Sequence, residues 1–411
     1  MRQAIEVVGK RGWVTAVVVG AALMGVNSDS GQSSPSTPAA ATRPVEGDTT
    51  GWMRIPVDDG QVFLSPYVWN RSGAGRAARA EAAIPGAYLK AAFRGSARVR
   101  LVIDGTANRN CPPAAMPVID YSLDHGAFKS VQLHQAGAVY GLPLAEGLAQ
   151  GREHLLEVFL RATPLMPSRW LESTVRLRLA GIEVDEGAKL VPAAVRPKRA
   201  IGFGDSITEG VCAEGLCPYY SDLMMNNARV TWFPVACAAL NCEYGQVGTG
   251  GQGMIKPAEL PILSQTWDHY DAEASRLTNG LLLPEPDYIF CAMGTNDYFG
   301  DADHYTLPPI AEEYTQWVKA VRRACPHAAI FCVVPPLGWH GEEIAALVAG
   351  RNQAGDKRVF LIDTAPLQAG FNIKGATQYA ADGVHPSVYG NAVLGALIAA
   401  EAQKALCGQG G

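Results

Sequence analysis

Ile201-Gly202-Phe203-Gly204-Asp205-Ser206-Ile207-Thr208-Glu209-Gly210 is the stretch on which the reading of this chain turns. An apolar strand-like approach, entered through Lys198 and Arg199, ends in Gly-Asp-Ser and leads toward a helix-like segment starting near Pro218. A serine at such a strand-to-helix turn sits among unpaired backbone N–H groups and at the positive end of a helix dipole, where developing negative charge is stabilised. A serine nucleophile needs that setting and a base to take its proton. Gly-Asp-Ser is equally the signature of a turn with a capping serine, so the base has to be found elsewhere in the chain.

Downstream of Arg199, apolar strand-like runs alternate with amphipathic helices. Strands are expected at residues 200–203, 230–236, 288–293, 329–334 and 359–362, and helices at 219–227, 310–324, 342–350 and 387–405. In the second helix Ile310, Tyr314, Trp317, Val318 and Val321 recur at helical spacing and should face a sheet. Apolar strands between amphipathic helices predict a parallel sheet covered on both faces, with ligands at the carboxyl ends of its strands. Three polar clusters fall at those ends. Gly245 to Gly253 holds glycines at 245, 248, 250, 251 and 253, which suits close backbone approach to an anion; its spacing is not that of a dinucleotide loop. Gly294-Thr295-Asn296-Asp297 follows a strand, and the Asn296 amide can face an oxyanion, although the same tetrapeptide also makes an Asx turn. Asp382-Gly383-Val384-His385-Pro386 opens the last helix. Its spacing lets the Asp382 carboxylate reach His385 Nδ1–H and turn Nε2 toward the serine. Pro386 suits a first helical turn, and an exposed helix cap is the alternative reading.

In this order the four blocks resemble those of the SGNH (GDSL-type) hydrolase superfamily, from about Arg199 to the C-terminus. The resemblance implies an α/β fold, a three-layer α/β/α domain with a parallel sheet. It implies Ser206 as nucleophile, His385 as general base and acid, and Asp382 as the residue orienting His385. The oxyanion hole would comprise the Ser206 N–H, the Asn296 amide and a loop glycine. Alignment favours Gly251, with Gly250 as the alternative because Gln246 stands where the family more often has asparagine. Asp297 would anchor the loop. The chemistry needs no cofactor, and no cysteine set has the spacing of a zinc site, so no metal is expected.

Residues 51–190 read as strands. Runs at 87–93, 99–103, 118–123, 130–133, 154–160 and 174–184 are separated by turn formers at Pro85-Gly86, Asp104-Gly105, Asp124-His125-Gly126 and Gly151. That spacing predicts an all-β sandwich, or jelly roll, before the hydrolase domain. His125 reads as a hairpin residue. Tyr67, Trp69, Tyr140 and Trp170 read as core aromatics ahead of a sugar-stacking platform. The boundary falls within 187–198, which places the hydrolase domain at 198–411. A sandwich in this position, with Ile84-Pro85-Gly86-Ala87 and Phe93-Arg94-Gly95, resembles the family-two carbohydrate esterases, whose implied substrates are acylated, chiefly acetylated, carbohydrates. Trp339 and His340, after Pro335-Pro336, are expected to line the substrate pocket with Asp205 and Tyr298; His304 is a further candidate.

At the start, Arg2, Lys10 and Arg11 flank an apolar run at 13–26, and residues 27–50 are rich in Ser, Pro and Thr. Residues 1–50 therefore read as a secretion signal and a flexible linker, giving a secreted or periplasmic protein. The run is shorter than the ~20 residues of a membrane span, and an uncleaved anchor is the alternative. Export would let some of the nine cysteines pair. Cys212 with Cys217 and Cys237 with Cys242 are the neighbours in sequence, while Cys237, Cys291 and Cys332 also read as buried hydrophobes. The 411 residues are 48% hydrophobic and 18% charged with net charge -5, enough chain for two cores. The acidic balance, without a basic aromatic stripe, argues against nucleic acid or an anionic membrane as partner. A lipid or small-acyl esterase and a non-catalytic carbohydrate-binding protein are the rival functions. Ser206, Asn296, Asp382 and His385 together argue against the second.

Overall fold

The structure is a computed structural model that describes residues 5–9, 12–16, 50–134, 136–165, 169–171, 175–216, 223–302, 309–372, 375 and 377–408. Met1–Val45 and Glu46–Gly411 are separate compact units. In the first, β1 (Ile5–Gly9) and β2 (Gly12–Ala16) pair antiparallel. The rest of the expected signal and linker lies almost wholly outside the described residues. No helix among the described residues is long and apolar enough to cross a membrane.

The second unit begins with twelve strands: β3 (Trp52–Pro56), β4 (Phe63–Leu64), β5 (Asn70–Ser72), β6 (Arg79–Ala82), β7 (Tyr88–Arg94), β8 (Val99–Asp104), β9 (Val118–Leu123), β10 (Lys129–Gln132), β11 (Val139–Ala145), β12 (Glu153–Ala162), β13 (Leu177–Asp185) and β14 (Lys189–Val191). They form two antiparallel sheets, ordered β10-β9-β12-β7-β14 and β11-β8-β13-β6-β5, with β4 paired to β7 and β3 to β13. Leu89, Ala91 and Phe93 of β7, Leu101 and Ile103 of β8, and Leu177 and Leu179 of β13 share one core. This is the sandwich that the period of two predicts. Asp124 and His125 have φ of 54° and 58°, a left-handed pair that makes the β9–β10 hairpin turn.

The remainder is a doubly wound layer. β15 (Lys198–Gly204), β16 (Cys242–Gly248), β17 (Tyr288–Ala292), β18 (Ala329–Val333) and β19 (Val359–Ile362) form a parallel sheet ordered β16-β15-β17-β18-β19. Its helices are α1 (Ser206–Glu209), α2 (Trp232–Ala239), α3 (Leu263–Thr266), α4 (Thr295–Ala302), α5 (Ile310–Ala324), α6 (Gly341–Gln353), α7 (Ala365–Gln368) and α8 (Val388–Cys407). Successive strand residues point to opposite faces. Ile201, Phe203 and Ile330 meet Trp317 and Val321 of α5, whereas Ala200, Phe290 and Phe331 meet Phe233 of α2 and Ile398 of α8. All five residues predicted for the inner face of α5 are buried.

Three expectations change. Residues 230–236 were expected as a strand, but α2 occupies most of them, since a short apolar run fits a buried helix equally well and Pro234 is tolerated in its first turn. The missing strand is β16, hidden among glycines: a Cβ at Gly245 would lie 2.2 Å from the Pro66 carbonyl, so the sandwich backbone approaches too closely for any side chain. Residues 223–227, expected to end a helix, are non-helical, and the start of that helix lies outside the described residues.

Cys237 and Cys242 are both free and buried, so the pairing suggested by their proximity does not form; Cys237 belongs to the apolar α2 face and Cys242 starts β16. Cys212 is disulfide-bonded, and Cys217 lies outside the described residues.

The sandwich and the α/β layer share buried polar contacts. Lys90 Nζ pairs with Glu243 Oε1 at 2.7 Å, and the Tyr88 hydroxyl donates to the same carboxylate. Arg161 of β12 donates to the Asn226 and Met224 carbonyls at 3.0 and 2.6 Å and pairs with Glu214 at 2.6 Å.

Candidate active site

The site forms where the strand order reverses, between β15 and its neighbours. Asp205 caps α1, its Oδ1 accepting the Ile207 N–H at 2.9 Å, and Gly210 ends the helix at φ 87°. A helix of four residues carries little macrodipole. The dipole expected behind Ser206 is therefore replaced by individual donors. Asp205 is 1% exposed, and burial pushes its carboxyl up to about 6, against the Ile207 hydrogen bond.

Before α8 the chain makes a tight loop, with Gly383 at φ 84°. Asp382 Oδ1 accepts the Val384 and His385 N–H groups at 2.9 and 2.7 Å, and Oδ2 lies 2.6 Å from His385 Nδ1. His385 Nε2 lies 2.8 Å from Ser206 Oγ. Burial works to raise the Asp382 carboxyl, but the His385 contact and the backbone donors outweigh it and bring it down to about 2. An ionised Asp382 fixes the proton on Nδ1 and leaves Nε2 as acceptor for the serine hydroxyl. Cys212 Sγ stands within 4.8 Å of the ligand atoms of Asp382 and His385, but its disulfide removes it as a thiolate ligand.

Opposite lies the turn Thr249 to Gln252, closed by Gln252 N–H to Thr249 O at 3.3 Å with Gly251 at φ 77°. The Gly250 N–H is occupied by Glu209 Oε2 at 2.7 Å. Gly251 N–H and Ser206 N–H have no partner among the described residues. Asn296, near the start of α4, donates one amide hydrogen to Gln252 O at 2.9 Å and keeps a second. Asp297 is fully buried and accepts the N–H groups of Met254, Ile255 and Lys256 at 2.9, 2.8 and 3.0 Å, fixing the glycine loop to α4.

Ser206, His385, Gly250, Gly251 and Asn296 line a cavity of 310 Å³. Among the described residues its apolar wall is Leu165, Val211 and Val384, with Thr163, Glu209, Thr295 and Asn226 beside them. Four residues expected at the pocket are absent from this wall. Asp205 is beneath it as a cap. Tyr298 and Trp339 stack on each other at 4.3 Å and 5°. His340 sits at φ 59° before α6, 3.7 Å from Glu343. Aromatic residues after strand ends satisfy each other here, which spacing does not reveal. His304 lies outside the described residues.

Leu165 and Thr163 follow β12 in the sandwich, so nothing local to the hydrolase motifs points to them. Glu209 does carry a signal: it is the one charged residue after Ser206 in the Gly-Asp-Ser-Ile-Thr-Glu-Gly run.

These features define a three-layer α/β/α hydrolase domain of the SGNH type behind a β-sandwich. Residues 203–393, most of the α/β layer, match the model of the GDSL-like lipase/acylhydrolase family. The chain is 25% identical over 288 residues to the cellulase/esterase CelE of Acetivibrio thermocellus, covering 64% of this chain and 31% of that protein. It is 28% identical over 197 residues to an acetylxylan esterase / glucomannan deacetylase of Cellvibrio japonicus, covering 42% and 51%. The match thus spans about a third and a half of those curated relatives' lengths. Among solved structures, a family two carbohydrate esterase from Cellvibrio japonicus superposes with a TM-score of 0.65 at 18% identity, covering 86% of this chain and 98% of that one; the fold is shared through both layers.

Proposed function

We propose that this protein is an exported serine esterase that removes short acyl groups, acetyl first among them, from carbohydrates. The observation that carries the reading is the Ser206–His385–Asp382 relay, at 2.8 and 2.6 Å, on the wall of a small cavity also lined by Gly251 and Asn296. His385 Nε2 takes the proton as Ser206 Oγ attacks the ester carbonyl. Negative charge on the carbonyl oxygen is met by the Ser206 and Gly251 N–H groups and the free Asn296 amide hydrogen. His385 then returns the proton to the leaving sugar hydroxyl, and water repeats the steps on the acyl-enzyme. Asp382 stays ionised and supports the imidazolium. Leu165, Val211 and Val384 give the acyl group an apolar seat. The names of the two relatives support a carbohydrate ester as substrate, and the basic, apolar, small-residue order of the first 50 residues supports export.

The test is hydrolysis of 4-nitrophenyl acetate, butyrate and octanoate, with acetate release from acetylated xylan, beside Ser206→Ala. Acetate preference that falls by roughly 10⁴-fold or more in the variant supports the reading. Octanoate preference replaces it with a lipid esterase, and absence of turnover replaces it with a binding protein.

A further inference from the structure

Glu209 is the only carboxylate among the described residues of the cavity wall, and it is 3% exposed. A bare carboxylate there would repel the oxyanion that the site has to hold. Both its oxygens are committed. Oε1 accepts from Arg169 Nη2 at 2.5 Å, and Oε2 accepts from Gly250 N–H at 2.7 Å. Arg169, 4% exposed, lies in the segment between β12 and β13 of the sandwich and donates to the Thr163 and Pro164 carbonyls at 2.6 and 3.0 Å. A continuous set of hydrogen bonds thus runs from the sandwich backbone, through Arg169 and Glu209, to Gly250.

What Gly250 belongs to gives this set its consequence. A closed four-residue turn with positive φ at its third residue is type II; its type I counterpart differs by a flip of the central peptide. Here that peptide joins Gly250 to Gly251 and carries the Gly251 N–H. Glu209 holds the turn on the Gly250 side, and Asn296 holds it at the Gln252 carbonyl. A Cβ on Gly250 would lie 3.4 Å from Glu209 Oε2 and 3.6 Å from Ser206 Cβ, so the turn threads between the carboxylate and the serine.

We propose that Glu209, clamped by Arg169 of the sandwich, is a positioning residue that holds the Gly250–Gly251 peptide in its oxyanion-binding orientation. The inference rests on the esterase reading above. Arg169 has a second task, which is to neutralise Glu209 so that its charge does not oppose the oxyanion.

The experiment compares kcat and KM on 4-nitrophenyl acetate for the full chain, Glu209→Ala, Arg169→Met, and Arg169→Met with Glu209→Gln, together with a crystal structure of Glu209→Ala. Glu209→Ala is expected to lose about 10- to 100-fold in kcat with KM changed less than threefold, on the scale of a misplaced oxyanion donor. Its structure should show the Gly250–Gly251 peptide turned over. Arg169→Met should lose more than the double variant does, because the double variant removes the unpaired charge. Unchanged kcat in Glu209→Ala, a double variant no better than Arg169→Met, or an unmoved peptide would each overturn the proposal. If the unmodified chain hydrolyses no ester, the esterase reading falls, and the crystal structure alone decides whether Glu209 holds the turn.

Discussion

The sandwich and the α/β layer both present sheets, but their strands meet different neighbours. In β11 the burial alternates, because one face meets the core and the other meets solvent. In β15 the last five residues are all buried, because helices cover both faces. β7 belongs to the first layer and behaves like the second: six of its seven residues are buried, since Tyr88 and Lys90 face Glu243 and Tyr244 across the layer boundary. Periodicity identifies a layer; an excess of burial over that period marks where one layer is covered by another.

Four substitutions probe how separate the two layers are. The largest effect lies wholly in the α/β layer: Asn296→Ala should lower kcat by about 10²–10³-fold, if its second amide hydrogen meets the oxyanion, while the lost Gln252 hydrogen bond lowers the melting temperature by only about 1–4 °C. Next is the boundary. Glu243→Ala leaves Lys90 buried without its partner and should cost about 3–5 kcal/mol in urea unfolding, with kcat of the folded protein retained. A smaller loss would mean that the layers are only loosely joined. Leu165→Ala enlarges the acyl wall from the sandwich side. The butyrate-to-acetate ratio of kcat/KM should rise roughly 10-fold, the usual scale for a methylene-sized change in a pocket. No change would return acyl selection to the α/β layer alone.

The remaining test is in pH dependence, where two carboxyls of the site have opposite signs. Asp382 is held at about 2 against an ordinary 3.8, so it adds stability above pH 4 that is lost as pH falls toward 2. Asp205 is raised from 3.8 to about 6, so stability falls as pH climbs between those values and is level above them. Asp205→Asn should flatten the melting temperature between pH 4 and 6 and leave its fall below pH 4 in place.

Sequence reading reached those parts of the molecule where the physics is local. The inner face of α5 follows from one helical period, β9 and β19 have the expected bounds, and Asp382 meets His385 because a spacing of three across a tight turn puts the two side chains within reach. The 2.8 Å approach of Ser206 to His385 spans 179 residues, yet both stand at the carboxyl edge of one sheet, where the topology gathers them. Residues 230–236 misled because apolar content does not separate a buried helix from a buried strand; Pro234 was the available signal. Leu165, Thr163 and Arg169 were illegible for another reason. They act across the layer boundary, and no period within one layer records what its loops touch.

The closeness of Gly245 to Pro66 has an evolutionary corollary. An α/β layer that has glycine at the contact, and lends Glu243 to a lysine on the other side, has lost the freedom to trade its companion for another. Fusions or exchanges that transplant residues 198–411 alone would carry away a pocket without Thr163 and Leu165 and a Glu243 carboxylate without Lys90, so recombination should pass the two layers on as one inheritable block.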